Sequence, residues 1–111
     1  MRNKLFILLL SLLPLSTAAA EINFTGKALQ IFNYEAHSGP LLQIDNMLPT
    51  LGLCARNDFY ILPVTHKYYK ENRELILAAK LANKTLLVLV DSGPATCVEG
   101  FNRIKHLSIT D

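Results

Sequence analysis

Two cysteines, Cys54 and Cys97, place the strongest constraint on how this chain can fold. They are the only cysteines among its 111 residues. In a small exported domain, two cysteines most simply form one disulfide bond. Closing a loop of this length stabilises a folded state by about 4 kcal/mol, chiefly by limiting the unfolded chain. A bond between two different chains and a pair of free thiols remain as alternatives.

Metal binding and thiol redox chemistry fit these cysteines less well. A structural zinc site needs about four ligands, and the histidines have no ligand spacing with the cysteines. A redox pair usually has two residues between its cysteines, and Cys54 and Cys97 are far apart in the sequence. We therefore predict an intramolecular disulfide, with no metal ion and no other cofactor.

The first 20 residues have the layout of a secretory signal peptide. Two basic residues near the start precede an apolar run over residues 5–15, and three alanines end at Ala20. A membrane span needs about 20 apolar residues, and this run is shorter. We predict cleavage after Ala20 and a single domain over residues 21–111 without a membrane span. The mature protein is expected in the periplasm or outside the cell.

The charge balance gives no support for binding to nucleic acid. The chain has 11 Lys and Arg residues against 9 Asp and Glu, but Arg2 and Lys4 lie in the predicted leader. Without those two residues, the formal net charge is zero. Proteins that bind nucleic acids need a basic surface that displaces counterions from the phosphates. We therefore expect a protein, peptide or glycan partner.

Apolar patterning predicts an α+β domain in which one helix lies between the third and fourth of five strands. Strands are indicated by β-favouring residues between Gly-Pro, Asn-Asp and Pro turn signals. The helix is indicated by good helix formers at helical spacing, followed by Asn83 as a left-handed cap. The predicted strands cover residues 26–36, 41–47, 59–62, 85–90 and 103–110, and the helix covers residues 66–82. In the third strand region, over residues 48–63, we expect either one bent strand or two short strands. The apolar run over residues 85–90 is expected to be the most buried strand.

This order of elements resembles that of an OB-fold barrel. The size, the leader and the single disulfide are similar to those of the B subunits of pentameric bacterial toxins. The local likeness lies in the block YYKENRELILAAKLANKTLLVLVDSGPATCVEGFNRIKHLSI. There, an aromatic-led helix precedes an aliphatic strand, a cysteine loop and a closing strand. The resemblance implies a small five-stranded OB-fold-like barrel, a homo-oligomer and a glycan ligand, but it assigns no binding residue.

No pattern of side chains in the sequence indicates catalysis. His37 and Ser38 are adjacent, but no G-x-S-x-G elbow surrounds the serine, so a turn is the better interpretation. Glu71 and Glu74 lie one helical turn apart, which is more typical of a solvated helix face than of an acid–base pair. We predict that the protein is not an enzyme.

The remaining candidates belong to binding rather than to chemistry. His66 and His106 are pH-sensitive residue types, for which a structural role is the simpler interpretation. The chain lacks Trp, so candidates for stacking on a ligand are its four tyrosines, Tyr34, Tyr60, Tyr68 and Tyr69. The sequence thus predicts an exported, disulfide-stabilised binding module that recognises a glycan, peptide or protein. The alternative is a periplasmic inhibitor of the immunity type, which neutralises a toxic enzyme.

We expect the exported protein to begin at Glu21 and to contain no free thiol. Intact-mass spectrometry of protein recovered from the periplasm or the medium measures the first property. Alkylation with and without prior reduction measures the second. A chain that keeps residues 1–20, or that is alkylated without reduction, would contradict this expectation.

Overall fold

The computed structural model describes residues 21–50, 52–93 and 96–111. Within these ranges the chain forms a small α+β domain with one α-helix and a seven-stranded sheet. The predicted signal peptide lies outside the described residues. None of the helices in the described ranges has the length and apolar character that crossing a membrane requires.

The strands and the helix follow one another in a simple order along the chain. The elements are β1 (Glu21–Phe32), β2 (Leu41–Ile44), a 3-10 turn (Leu48–Thr50), β3 (Arg56–Ile61), α1 (Tyr69–Ala82), β4 (Thr85–Asp91), β5 (Cys97–Val98), β6 (Phe101–Arg103) and β7 (His106–Ile109). The helix lies between the third and fourth strands, as predicted. Asn83 ends it in the left-handed conformation, with φ of 55° and ψ of 44°, which confirms the predicted cap.

The long strand β1 joins two parts of the sheet, whose strand order is β5-β6-β3-β2-β1-β4-β7. The first half of β1 pairs with β4, and the second half pairs with β2. The register shifts between Ala28 and Gln30, where the strand passes from one partner to the other. Such an irregularity bends a strand and increases its twist. β1 and β2 form an antiparallel hairpin.

The last part of the chain contacts two strands that are not neighbours. β6 runs parallel to β3, whereas β7 runs antiparallel to β4. Only Ile104 and Lys105 separate β6 from β7. The backbone N–H of Ile104 donates to the Ile61 carbonyl at 2.9 Å, and that of Lys105 donates to the Leu89 carbonyl at 2.8 Å. This segment therefore turns from β3 to β4 within two residues.

The strand count differs from the prediction. The described ranges contain seven strands in an open order, so the predicted five-stranded OB-fold-like barrel is not confirmed. One predicted strand over residues 103–110 is divided at Ile104 and Lys105, because the backbone there changes its partner. The short strand β5 pairs only with β6, and sequence patterning did not indicate it. The α+β class is confirmed.

The helix begins later than predicted because His66 belongs to the turn before it. The His66 ring contacts the Lys105 carbonyl through Nε2 at 3.0 Å, and its Nδ1 accepts from the Tyr68 N–H at 2.9 Å. The ring is buried. His66 thus connects the start of α1 to the segment between β6 and β7, which supports the structural role expected for it.

The main hydrophobic core lies between α1 and the sheet. It contains residues from β1 to β4, from the helix, and Ile104. Alternate residues of β4, namely Leu86, Val88 and Val90, point into this core, while the residues between them are only partly buried. The run was predicted to be the most buried strand, but β2 has the larger share of buried residues. Successive side chains of a strand point to opposite faces, and the main core covers one face of β4.

The disulfide between Cys54 and Cys97 is confirmed. The two Cα atoms lie 5.9 Å apart, and the residues are 43 positions apart in sequence. Cys54 precedes β3, and Cys97 begins β5. The bond therefore connects the β5–β6 hairpin to the segment before β3.

Replacing both cysteines by alanine is expected to lower the free energy of unfolding by about 4 kcal/mol, because the unfolded chain loses its cross-link. Urea unfolding followed by circular dichroism measures this loss. Reducing the parent protein should reproduce the loss, and the same reductant should leave the double variant unchanged. An equal stability of parent and variant under oxidising conditions would contradict the expectation.

Candidate ligand-binding site

A cluster of rings lies around a second, smaller group of buried apolar residues that is separate from the main core. We name it the outer aromatic cluster and define it by six residues: Phe32, Tyr34, His37, Arg56, Phe59 and Phe101. Leu41 and Ile61, adjacent in sequence to residues of the main core, form its base with Phe101. Because successive residues of a strand point to opposite faces, β2 and β3 supply residues both to the main core and to the base of this cluster.

The rings of the cluster form a row in which each ring contacts the next. Phe59 meets Phe32 edge to face, with ring centres 5.4 Å apart. Phe32 lies 5.9 Å from Tyr34, which lies 5.7 Å from His37. Such pairs of aromatic rings stabilise one another beyond their burial alone. The side chains are thereby held in defined orientations.

The other end of the cluster is built on Phe101. This ring is fully buried, and the His37 ring meets it edge to face at 5.2 Å. The guanidinium carbon of Arg56 lies 4.6 Å from the Phe101 ring centre, which is a cation–π contact. Arg56 also forms an ion pair with Asp58 at 2.7 Å. The guanidinium is therefore held in place while its side chain stays half exposed.

The loop over residues 33–40, between β1 and β2, passes close to the end of β3. The Val64 N–H donates to the Ser38 carbonyl at 2.8 Å, and the Leu62 N–H donates to the Pro40 carbonyl at 3.0 Å. A Cβ atom at Gly39 would overlap the Leu62 carbonyl. Glycine is therefore required at position 39 for this close approach, which places Tyr34 and His37 over the sheet.

A carboxylate from the β5–β6 turn fastens the same loop. Glu99 Oε1 accepts from the Ser38 N–H at 2.9 Å and from the Ser38 hydroxyl at 3.2 Å, and it lies 3.5 Å from His37 Nδ1. Glu99 and Gly100 both have positive φ, as a two-residue hairpin turn requires. The hydrogen bond from the Ser38 backbone, followed by the Ser38 hydroxyl and His37, lowers the pKa of the Glu99 carboxyl.

The disulfide lies next to both polar parts of the cluster. Arg56 follows Cys54 by two positions, and Glu99 follows Cys97 by two positions. The Arg56 N–H also donates to the Gly100 carbonyl at 2.8 Å. The covalent bond therefore fixes the distance between the two segments that carry the guanidinium and the carboxylate.

Two clefts open beside Tyr34 and His37. The first has a volume of about 350 Å³, within the range of small-molecule sites. The second has a volume of about 360 Å³ and lies toward Val64 and Tyr69. Tyr34 is 58% exposed, so its ring is accessible. The first cleft is lined by Phe32, Tyr34, His37, Leu41, Arg56 and Phe59.

The structure brings His37 and Ser38 to one carboxylate, but not in a catalytic order. A nucleophilic triad has the histidine between the serine and the acid. Here Glu99 accepts directly from Ser38 and also faces His37. The arrangement holds a loop in place, which agrees with the interpretation of Ser38 as a turn residue.

The other candidates from the sequence do not line the first cleft. Tyr60 is buried in the main core, where burial raises the pKa of its hydroxyl. Tyr69 lines the second cleft, and Tyr68 is exposed at the start of α1. Glu71 and Glu74 are exposed on the helix, and His106 is exposed at the start of β7. Within the described ranges, no three His, Cys, Asp or Glu residues are arranged to hold a metal ion.

Sequence reasoning identified Tyr34 but missed most of the cluster. Phe32 and Phe59 look like ordinary strand residues, and the sequence does not indicate that their side chains lie on the outer face. For Arg56 and Glu99 a signal existed, because each follows a cysteine at the same short spacing. If the two cysteines are bonded, this spacing places the guanidinium and the carboxylate in one region.

No protein-family model, no curated protein and no solved structure matches this chain. The resemblance to toxin B subunits therefore stays a prediction, and the site rests on its own geometry.

Glu99→Gln is expected to weaken the hydrogen bonds that hold the 33–40 loop through Ser38 at neutral pH. The folded-state pKa of Glu99 lies below its ordinary value of 4.5. The ionised carboxylate therefore contributes to the free energy of unfolding above about pH 4.5. That contribution is lost as the pH falls through the folded pKa. The stability difference between parent and variant should therefore shrink toward pH 3 in urea unfolding.

A matched control is Asp111→Asn, because the pKa of that carboxyl is also lowered, by the Thr85 N–H, far from the cluster. The NMR signals of the Ser38 and His37 amides should shift in the Glu99 variant and not in the control. Equal shifts in both variants would contradict the assigned role of Glu99.

Proposed function

We propose that this protein is an exported, disulfide-stabilised module that binds a glycan in the first cleft of the outer aromatic cluster. The observation that carries the proposal is the exposed ring of Tyr34 facing the cleft that Arg56 and Phe59 also line. An aromatic face offers a flat apolar surface to the C–H side of a sugar ring. Nearby polar groups orient the ligand through its hydroxyls.

The charges around the cleft favour a neutral ligand. Arg56 is paired with Asp58, and His37 faces Glu99. The Arg56 guanidinium therefore has a carboxylate partner, and a second carboxylate faces the His37 ring, so the cleft has little excess positive charge to attract an anion. The guanidinium and the imidazole still donate hydrogen bonds, which suits the hydroxyls of an uncharged sugar.

We propose further that the sheet wraps as an OB-type barrel. Support comes from the segment over residues 101–109, which pairs in parallel with β3 and in antiparallel fashion with β4. In OB-folds, ligands bind on strands 2 and 3 and on the loops after the first and fourth strands. The outer aromatic cluster combines residues of β1 and β3 with the 33–40 loop and the segment after β4. Its location therefore agrees with both the barrel and the binding function.

One observation favours the alternative, an inhibitor of a toxic enzyme. Tyr and Arg dominate the energetics of many protein–protein interfaces, and Tyr34 and Arg56 are both exposed to solvent. This alternative requires a stable one-to-one complex with the product of a neighbouring gene. Co-purification of the two proteins distinguishes it from a glycan-binding module.

Tyr34→Ala is expected to weaken glycan binding about tenfold or more, because the variant loses the stacking surface. A glycan array identifies the ligand, and calorimetry with that glycan measures the loss. Tyr68→Ala is the matched control, since the Tyr68 side chain is similarly exposed, at 48%, but lies outside the cluster. The proposal fails if the parent protein binds no glycan, or if both variants lose affinity equally.

A further inference from the structure

A small apolar cavity opens between α1 and the β1–β2 hairpin. It has a volume of about 100 Å³. Ile31 of β1 and Leu42 of β2 line it from the sheet, where they are direct partners across the two strands. Ile76 and Leu77 line it from the helix. Because Leu42 and Ile76 are buried members of the main core, the inner part of the cavity is apolar.

Two polar side chains line the same cavity. Arg73 lies one helical turn before Ile76 and Leu77, on the same side of α1. Asn33 contributes from the start of the 33–40 loop. Both polar residues are exposed, so they belong to the mouth of the cavity. A guanidinium and an amide both carry N–H donors, and the cavity therefore combines an apolar interior with hydrogen-bond donors at its entrance.

The positive charge at this entrance is not balanced by a carboxylate. In the part of the chain that the structure describes, Arg73 forms no ion pair. Residues three and four positions away on a helix are its neighbours; for Arg73 these are the basic residue Lys70 and three uncharged residues. Glu71 and Glu74 lie at spacings that do not face Arg73. Glu35 of the 33–40 loop lines the second cleft and not this cavity.

We propose that this cavity binds a short aliphatic carboxylate, whose charged group pairs with Arg73 and whose alkyl chain lies between the helix and the hairpin. A guanidinium matches a carboxylate through two parallel N–H bonds. A cavity of about 150 Å³ holds a benzene ring, so this smaller one suits a chain of about four carbons. None of the six residues that define the outer aromatic cluster lines the cavity, so this inference does not rest on the proposed function.

Titration of the full, oxidised protein with straight-chain carboxylates, followed by NMR of the backbone amides, tests this site. Affinity should rise about fourfold for each methylene from acetate to butyrate, because each methylene buries more apolar surface. It should stop rising once the chain fills the cavity. The largest shifts should occur at the amides of Leu42 and Leu77. Equal affinities along the series, or shifts spread evenly over the protein, would overturn the proposal.

Butanol has a similar alkyl chain without the charge, so it isolates the contribution of Arg73. The parent protein should bind butyrate about tenfold more tightly than butanol, because a hydrogen bond to an ionised group is stronger than a neutral one. Arg73→Gln should remove this preference and leave the affinity for butanol unchanged. Lys80→Gln removes the same charge two turns further along α1 and should keep the preference. An Arg73→Gln variant that keeps it would contradict the assigned pairing.

A second pair of variants tests the location of the alkyl chain. Leu77→Phe should weaken butyrate binding about tenfold or more, because the larger ring takes up space in the cavity. Leu77 is 42% exposed, so the variant is expected to fold, and circular dichroism verifies this. Leu81→Phe is the matched control one turn further along, at a residue that does not line the cavity. A Leu77→Phe variant that binds butyrate like the parent protein would overturn the proposal.

A last comparison distinguishes a free acid from the end of a peptide. Isocaproate and N-acetyl-leucine have the same branched tail and a carboxylate, but only the second compound resembles a peptide C terminus. We expect isocaproate to bind at least as tightly as N-acetyl-leucine. Tighter binding of N-acetyl-leucine would identify a peptide end as the occupant and would contradict the proposal of a free acid.

Discussion

The disulfide between Cys54 and Cys97 is the interaction on which the rest of this structure depends. It joins the segment before β3 to the short β5–β6 hairpin. That hairpin adds only two-residue and three-residue strands to the sheet, and strands of that length are weakly held by hydrogen bonds alone. The covalent bond therefore keeps the hairpin against β3, where Phe101 completes the outer cluster and Glu99 reaches the 33–40 loop.

The outer aromatic cluster shows how a small domain can build a binding surface without enlarging its core. Successive side chains of β2 and β3 point to opposite faces of the sheet. One set fills the main core, and the other set packs beneath the outer rings. The cluster is then orientated by polar contacts at its edges, namely Arg56 with Asp58 and Glu99 with Ser38. These exposed contacts contribute little to global stability. Their effect is to hold a loop and a guanidinium in one geometry.

The sequence by itself determined the α+β class, the helix between the third and fourth strands, its Asn83 cap and the disulfide. These features depend on local periodicity, on cap geometry and on the presence of just two cysteines. Only the tertiary structure decided the division of the last strand, because Ile104 and Lys105 bond to strands distant in sequence. The site followed the same rule: Tyr34 could be named as a stacking candidate, whereas Phe32, Phe59 and Phe101 could not be distinguished from core residues. Which face a strand residue occupies depends on what packs against the sheet, and that is set by contacts far along the chain.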